Sequence, residues 1–402
     1  MAATTLADTL SGAPEGPAGR EFSLVPGGPL FRFLLRAHMA DAELRHVQRR
    51  LALAVLLMWA PVVALAAWQG GLVGPGRSLM NDIGFHVRFL VAAPMLILAE
   101  LIVHRRMRLI VGQFRARQLV RPGEMARFDD AVADALRWRD SALAELLLLV
   151  IVYAAGGLFV LHRYEAMRGA AWYLTGAAGR LSPAGFWLVF VSLPLIQFLL
   201  LRWYFRILIW ARFLWRMARL DLDLDVTHPD KAAGLGFLGD SLAAFMPIAF
   251  AHGVLFSGMI ADRIFFTGAR LTDFKMQVLV GAVLLVVIFV GPLAVFAPRL
   301  ERVKRVGLLA YGALGERYVR EFREKWMGGG AAPDEPLVGS GDIQSLADLG
   351  NSFGNAEQTR MAPVSPRMLI AFVAVFLAPF LPLLLTMMSL DKLLDQLAGM
   401  VF

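Results

Sequence analysis

The chain has 402 residues, 58% of them hydrophobic and 18% charged, against a soluble norm of roughly 45–50% apolar and about 25% charged. The apolar residues are blocked into long runs that a water-soluble core does not need, which excludes an ordinary soluble protein and places the chain in a bilayer. A net charge of +8 is then read by position along the chain rather than as a nucleic-acid footprint, and the absence of cysteine excludes disulfides, iron–sulfur clusters and Cys-built zinc sites.

In chain order, residues 1–30 are rich in Gly, Ala and Pro and are expected to be a disordered tail. No apolar core followed by a small-residue cleavage site occurs in the first fifty residues, so the first span is expected to act as an uncleaved signal anchor. Residues 31–50 set Phe31, Leu34, Leu35 and Met39 against Arg32, Arg36, Arg45 and Arg49. That pattern predicts an amphipathic helix lying among anionic headgroups of the inner leaflet, either as an elbow before the first span or as a partner-binding helix.

Stretches of about 20 residues with few charges are long enough to cross about 30 Å of hydrocarbon. Seven such stretches stand at 51–68, 83–103, 142–161, 181–201, 241–261, 276–298 and 368–390. Unpaired backbone groups are not tolerated in lipid, so all seven are expected to be helices. With the amino terminus inside, the inner segments 1–50, 104–141, 202–239 and 299–367 carry 6, 9, 6 and 10 basic residues, 31 of the chain's 40. The bias fixes the expected topology as amino terminus in and carboxyl terminus out. The expected fold is therefore an all-α polytopic bundle in a bacterial cytoplasmic (inner) membrane.

Between the spans, the inner segments read as helical. After Pro122-Gly123, the spacing of Met125, Phe128, Val132 and Leu136 predicts a half-buried helix, and its acidic residues (Asp129, Asp130, Asp134) precede Arg137 and Arg139 as the macrodipole prefers. The fourth span continues as one helix, carrying Arg202, Arg206, Arg212, Arg216 and Arg219 within about 140° of the helical wheel. A basic stripe raises a voltage-sensor reading; the charges lie mostly beyond the inner end of the span, interleaved with Trp203, Tyr204, Trp210 and Trp215, so headgroup anchoring is the expectation. The sixth span runs on into a basic helix over 301–326, followed by a linker at 328–336. The segment 340–353 is then expected to be a short helix, capped by Ser340 or Asp342, with Ile343, Leu346 and Leu349 on one face and Gly350 as its stop. At 391–402, Leu393, Leu394, Leu397 and Val401 against Asp391, Lys392 and Asp395 predict an interfacial helix on the outer face.

Three groups of residues can carry chemistry. Asp221, Asp223 and Asp225 match the first half of a calcium loop, but Val226 stands where Gly is required and Ala232 where Glu is required. A looser loop metal site would use Asp225, His228 and Asp230. In the mechanical alternative, Pro229 ends one element, Asp230 caps the next, and Gly234, Gly236 and Gly239 permit close packing. Within the spans, Glu100 and Glu145 lie near inner ends, where a carboxylate can snorkel or pair with Arg, and Arg88, His86 and Asp262 lie near outer ends. His252 is alone among ionisable side chains near the middle of a span, with Gln197 at similar depth in the fourth span and Ser192 above it. Together His252, Gln197 and Ser192 form a candidate intramembrane polar site, for a proton or small solute, or for interhelical hydrogen bonding alone. Proline in six of the seven spans is compatible with broken transporter helices. No convincing internal repeat is legible, and no GxSxG, HExxH or phosphate-loop motif occurs.

The segments 227–238 (THPDKAAGLGFL) and 342–353 (DIQSLADLGNSF), with 381–386 (LPLLLT), resemble parts of a family of uncharacterised bacterial multi-pass membrane proteins. The resemblance implies a bacterial membrane protein and carries over no functional residues. Three classes of function follow. Permeation or transport of a small ion or polar solute requires a hydrated cavity at His252 and Gln197. A scaffold recruiting a cytoplasmic protein partner requires a dry, packed bundle. A membrane-surface metal-dependent enzyme requires metal at Asp225, His228 and Asp230. Transport ranks first, scaffold second and enzyme last; no cofactor and no nucleic-acid partner are expected.

Overall fold

The computed structural model describes residues 22–39, 41, 44, 46–74, 78–163, 172–175 and 180–387. Helix α1 is Gly28–Arg36, α2 Val47–Trp68, α3 Ile83–Ala116, α4 Met125–Arg139 and α5 Ala142–Arg163. An antiparallel pair of strands, β1 Leu174–Thr175 and β2 Arg180–Leu181, precedes α6 Pro183–Met217. Helix α7 is Gly236–Thr267, α8 Leu271–Trp326, α9 Gly341–Glu357 and α10 Pro366–Leu384. Six of these helices (α2, α3, α6, α7, α8 and α10) are long and apolar enough to cross a membrane. The remaining expected span, 142–161, falls on α5, whose described apolar stretch Ala142–Ala154 is shorter. The expected interfacial helix at 391–402 lies outside the described residues.

The outward faces carry the chemistry of a lipid-facing surface. Leu143, Leu146, Leu147 and Val150 on α5, and Met276, Leu279, Val283 and Val287 on α8, are all more than half exposed. Exposed apolar faces of this kind are rare on a soluble protein.

Proline shapes the helices, and the freed backbone groups find partners on neighbours. Pro61 supplies no N–H to the Leu57 carbonyl, which instead accepts from Trp187 Nε1 at 3.0 Å. One residue on, the Met58 carbonyl accepts from Ser192 Oγ at 2.7 Å, so α6 seals the kink in α2. Helices α3 and α6 share a second device. Asp82 and Ser182 cap the first turns by accepting from Phe85 N and Gly185 N. A wide π turn follows, at Arg88–Ala92 and at Leu188–Ser192, and Pro94 or Pro194 starts the next α segment. The two devices lie 100 residues apart.

Helix α7 is the centre of the bundle: 61% of its apolar window is buried, against 22–44% for the other five. Small residues permit this. A Cβ at position 253 would collide with the Phe376 carbonyl of α10, so Gly253 fixes that crossing. Aromatic side chains fill the spaces between helices, among them Phe89, Trp203, Phe245, Phe289 and Phe376.

The basic end of the bundle is closed by a layer of polar elements. Helix α4 lies on α6 with Phe128 and Leu136 of the expected face buried and Met125 and Val132 half-buried, while Ala131 and Ala135 complete the contact. The long half of α8, Ala297–Trp326, leaves the bundle as a stalk, and α9 packs back along it. Ser340 caps α9 by accepting from Asp342 N at 3.1 Å, as expected.

Three expectations are corrected here. Gly350 does not stop α9, which runs on to Glu357. A mid-helix Gly costs only about 1 kcal/mol, and the extension buries Ala356 and lets Asn355 Nδ2 donate to the Thr227 carbonyl at 3.2 Å. Residues 31–50 are not one helix: α1 ends at Arg36, and Arg50 belongs to α2 with its side chain buried. The tail is packed from Phe22 onward, with Phe22, Leu24 and Val25 no more than 4% exposed; residues 1–21 of it lie outside the described residues.

Candidate functional site

Five charged side chains converge inside the basic end: Arg50 from α2, Glu100 from α3, Glu145 from α5, and Arg202 and Arg206 from α6. Each is no more than 8% exposed. Glu100 takes an ion pair from Arg50 on one oxygen. Its other oxygen lies 2.8 Å from Arg206 Nη2 and 3.6 Å from Arg202 Nη1. Arg202 Nη2 reaches Glu145 Oε1 at 3.2 Å, and the Arg206 guanidinium also lies over the Trp203 ring, 4.7 Å from its centroid. Glu100 and Glu145 thus do pair with Arg, but as a buried network across four helices. Enclosing that many charges is costly unless each is compensated.

The segment 22–30 forms a strap over this cluster. The Ser23 carbonyl accepts from Arg139 Nη1 at 2.9 Å, and Leu30 N donates to Glu145 Oε2 at 2.8 Å. Gly28 makes the approach possible: its φ is +83°, and a Cβ there would press on the Glu145 carboxylate. The Phe22 ring packs at a tilt against Phe213, 4.8 Å between centroids.

The basic stripe on α6 is divided between buried protein contacts and an exposed end, where Arg212 and Arg219 stay accessible. Arg202 and Arg206 belong to the cluster; Arg212 Nε and Arg216 Nη1 reach Asp134 Oδ2 of α4 at 2.9 and 3.2 Å. Burial pushes the Asp134 pKa up, but the hydrogen bonds from Arg212 and Arg137 and the nearby Arg216 charge outweigh it and hold the carboxyl below its usual range. Trp203 and Trp210 are core residues, and Trp215 lies under Arg219 in a cation–π contact.

Mid-bundle, His252 is paired with Tyr204 and not with Gln197. Its Nδ1 lies 2.7 Å from the Ile248 carbonyl, which can only accept, so Nδ1 carries the proton. Nε2 is then the acceptor for the Tyr204 hydroxyl at 2.6 Å. Ser192 is buried and committed to the Met58 carbonyl. Near the opposite end, His86 accepts from Trp59 Nε1 at 3.1 Å and meets the Leu79 carbonyl at 3.0 Å. There Asp262 accepts from Gly84 N at 3.1 Å, and Arg88 opens the π turn of α3.

The loop 225–239 is organised by Asp230. One carboxylate oxygen accepts from Ala232 N and Gly234 N at 2.8 and 3.1 Å, and the other from Gly236 N at 2.7 Å. Lys231, Ala233 and Gly234 all have positive φ, which aims these N–H groups inward as a nest. Burial raises the Asp230 pKa, but the hydrogen bonds from Gly236, Ala232 and Gly234 and the neighbouring His228 outweigh it, leaving a net lowering. His228 Nδ1 is 3.0 Å from Asp230 Oδ1, whereas Asp225 closes its own turn by accepting from Thr227 N and Oγ1, both at 2.8 Å. No group of three or more metal-ligating side chains converges among the described residues. The loop is anchored on the far end of α9: Arg360 Nη2 donates to the Asp230 carbonyl at 2.6 Å and Arg360 N to the Lys231 carbonyl at 2.8 Å. The segments 227–238 and 342–353 thus belong to joined elements.

The charge cluster and its strap are not legible in the sequence as a unit. The available signal was Arg202 and Arg206 at i, i+4, with two carboxylates at the inner ends of other spans. No protein-family model, no curated protein and no solved structure matches the chain.

Proposed function

We propose that the chain is a seven-span protein of the bacterial cytoplasmic membrane, with α5 as the third span, the amino terminus inside and the carboxyl terminus outside. It works as a membrane-anchored scaffold whose cytoplasmic layer recruits a protein partner. The observation that carries this reading is where space and pairing lie. The mid-bundle polar groups His252 and Ser192 are satisfied within packed helices. An open basic and apolar patch instead lies on one face of the α8 stalk, formed by Glu301, Lys304, Arg305, Leu308 and Leu309. Val306 and Leu309 are 60% and 72% exposed beside the cations, a surface suited to an amphipathic helix with acidic flanks. The lipid-like outward face of α5 and the 31 basic residues of the inner segments support the topology.

Permeation of a small ion or polar solute is the second reading, favoured by the buried charges of the cluster. Single cysteines at 252, 197 and 309, exposed to a membrane-impermeant thiol reagent from each side, separate the two, because thiolate reactivity requires water. The scaffold reading expects 252 and 197 to stay inert while 309 reacts from the inside alone. It also expects a photocrosslinking residue at 309 to give one discrete adduct in cells, abolished by Val306→Asp. Rapid labelling at 252 and 197 replaces the scaffold with a conduit.

A further inference from the structure

The accessible end of the α6 stripe meets α4 near the inner edge of the lipid-facing surface. Phe205, Leu208 and Arg212 stand at i, i+3 and i+7, on one face of α6. Leu208 is 57% exposed, and the Arg212 side chain is 41% exposed. Trp138 of α4 lies against this face and is itself exposed. Its ring is 6.5 Å from that of Phe205, and the Arg212 guanidinium lies over it at 5.1 Å. Five residues after Trp138, Leu143 begins the exposed apolar side of α5. About 30 Å of hydrocarbon, counted along α6 from Pro183, ends near Trp203. Arg212 stands nine residues beyond, about 13 Å along the axis. Helical side chains lean toward the amino-terminal end of their helix, which returns the Arg212 guanidinium toward the headgroup layer.

Hydrogen-bond capacity is left at the same place. Asp134 draws three guanidiniums together: Oδ1 is 3.1 Å from Arg137 Nη2, and Oδ2 is 2.9 Å from Arg212 Nε and 3.2 Å from Arg216 Nη1. Both carboxylate oxygens are thereby committed. Among the described residues, Arg212 donates through Nε alone and Arg137 through Nη2 alone, although each guanidinium carries five N–H groups. The Arg137 side chain is 69% exposed, and the next carboxylate along this side of α4, Asp130, is one turn further from Trp138. We propose that this corner of α4 and α6 binds one phospholipid with an anionic headgroup. Its phosphate takes the outer N–H groups of Arg212 and Arg137, its glycerol region rests on the Trp138 ring, and an acyl chain runs over Leu208 and Phe205 along α6 into the hydrocarbon. Guanidinium forks match phosphate oxygens, and an aromatic ring at headgroup depth suits the boundary between polar and apolar layers. A soluble phosphate would use the cations and leave the apolar half of the site unmatched. The site is independent of the scaffold role, since it needs only this end of α6 at a bilayer surface.

The test is native mass spectrometry of the purified full-length protein, delipidated in an uncharged detergent and titrated with phosphatidylglycerol or phosphatidylcholine of identical acyl chains. One phosphatidylglycerol is expected to be held about tenfold more tightly than phosphatidylcholine, the scale of one charge-assisted hydrogen bond. Arg137→Gln and Arg212→Gln are each expected to lower that affinity about tenfold, and Leu208→Asp to weaken it by repelling the headgroup and exposing the chain. Arg320→Gln, which removes an exposed cation from the stalk, is expected to leave it unchanged. Should Arg212→Gln unseat α4 through loss of the Asp134 contact, Arg137→Gln and Leu208→Asp decide, because both side chains are exposed. Excess inorganic phosphate or poly-glutamate is expected not to displace the lipid. The proposal is overturned if the two lipids are held alike, or if Arg320→Gln weakens binding as much as Arg137→Gln. Displacement by phosphate or by poly-glutamate also overturns it, and reassigns the corner to a soluble anion or to an acidic protein segment.

Discussion

Glu100→Gln is the sharpest perturbation of the charge cluster. In the wild type, one Glu100 oxygen serves Arg50 and the other lies 2.8 Å from Arg206 and 3.6 Å from Arg202. Gln keeps the shape but removes the charge, so three buried guanidiniums are left with Glu145 as their sole paired carboxylate among the described residues. The new amide group also presents donors to donors. Removing one partner from a buried ion pair costs about 3–5 kcal/mol, most of it the penalty of the stranded charge. The matched control is Glu321→Gln, which breaks the exposed i, i+4 pair with Arg317 on the stalk and is worth about 0.3–0.5 kcal/mol. Reversible unfolding of the purified protein in mixed micelles by sodium dodecyl sulfate reads both. In the double variant Glu100→Gln/Arg50→Gln, part of the loss is recovered, with a coupling of about 0.5–3 kcal/mol. If Glu100→Gln costs no more than Glu321→Gln, or the two cluster substitutions simply add, the cluster is not a coupled network and the argument fails.

Acid should release the 225–239 loop. The Asp230 pKa is lowered on folding, so its contribution is present above the ordinary carboxylate pKa and is lost as pH falls through the folded value, from about pH 5 downward. Hydrogen-exchange protection at Ala232, Gly234 and Gly236, corrected for intrinsic rates, is expected to drop in that window, and Asp230→Asn should produce the loss at neutral pH. Gly253→Val forces a side chain onto the Phe376 carbonyl and is expected to destabilise by about 1–3 kcal/mol; an unchanged unfolding midpoint contradicts the close α7–α10 crossing. Tyr204→Phe strands His252 Nε2 and is expected to cost about 0.6–2 kcal/mol in the same assay, with Gln197→Ala costing less; the reverse order contradicts the pairing. Ser340→Ala removes the cap of α9 and should cost about 0.5–2 kcal/mol, visible as faster exchange in 341–345.

What was legible in the sequence is what depends on local pattern. Long apolar runs give helices because the backbone has no other way to be satisfied in lipid, and the faces of α4 and the cap of α9 follow from residues within two turns of each other. The pairing of His252 was misjudged by depth. Tyr204 is seven residues beyond Gln197, so it shares that face of α6 about 10 Å further along, and the rotation was legible where the register was not. The strap was illegible for a different reason. Ser23, Leu24, Val25, Pro26, Gly27 and Gly28 have neither helical nor strand periodicity, and what holds them is a carboxylate on α5 and guanidiniums more than a hundred residues away.

The repeated cap, π turn and proline of α3 and α6 bear on how such a cluster arises. Across 82–116 and 182–216 only Val91, Pro94, Leu101 and Arg106 recur, as Val191, Pro194, Leu201 and Arg206, too few to register as a sequence repeat. Yet the backbone irregularity of α3 and α6 is shared position for position, and each of these helices follows one that also feeds the cluster, α2 or α5, giving two two-helix units. Each unit gives the cluster one residue from the fourth position of its first helix (Arg50 or Glu145) and the rest from its second (Glu100, or Arg202 and Arg206). Arg50 and Glu145 are opposite in charge, and ion pairs run within each unit (Arg50–Glu100, Arg202–Glu145) and between the units (Arg202 and Arg206 to Glu100). A proline shortens the hydrogen-bond ladder and the π turn resets the rotation of everything after it. That reset decides which face of α3 and α6 carries Glu100 and Arg206 into the contact. Deleting one residue from either π turn should therefore rotate Glu100, or the two arginines, about 100° out of the contact and lower the unfolding midpoint, whereas an unchanged midpoint contradicts this role for the turn.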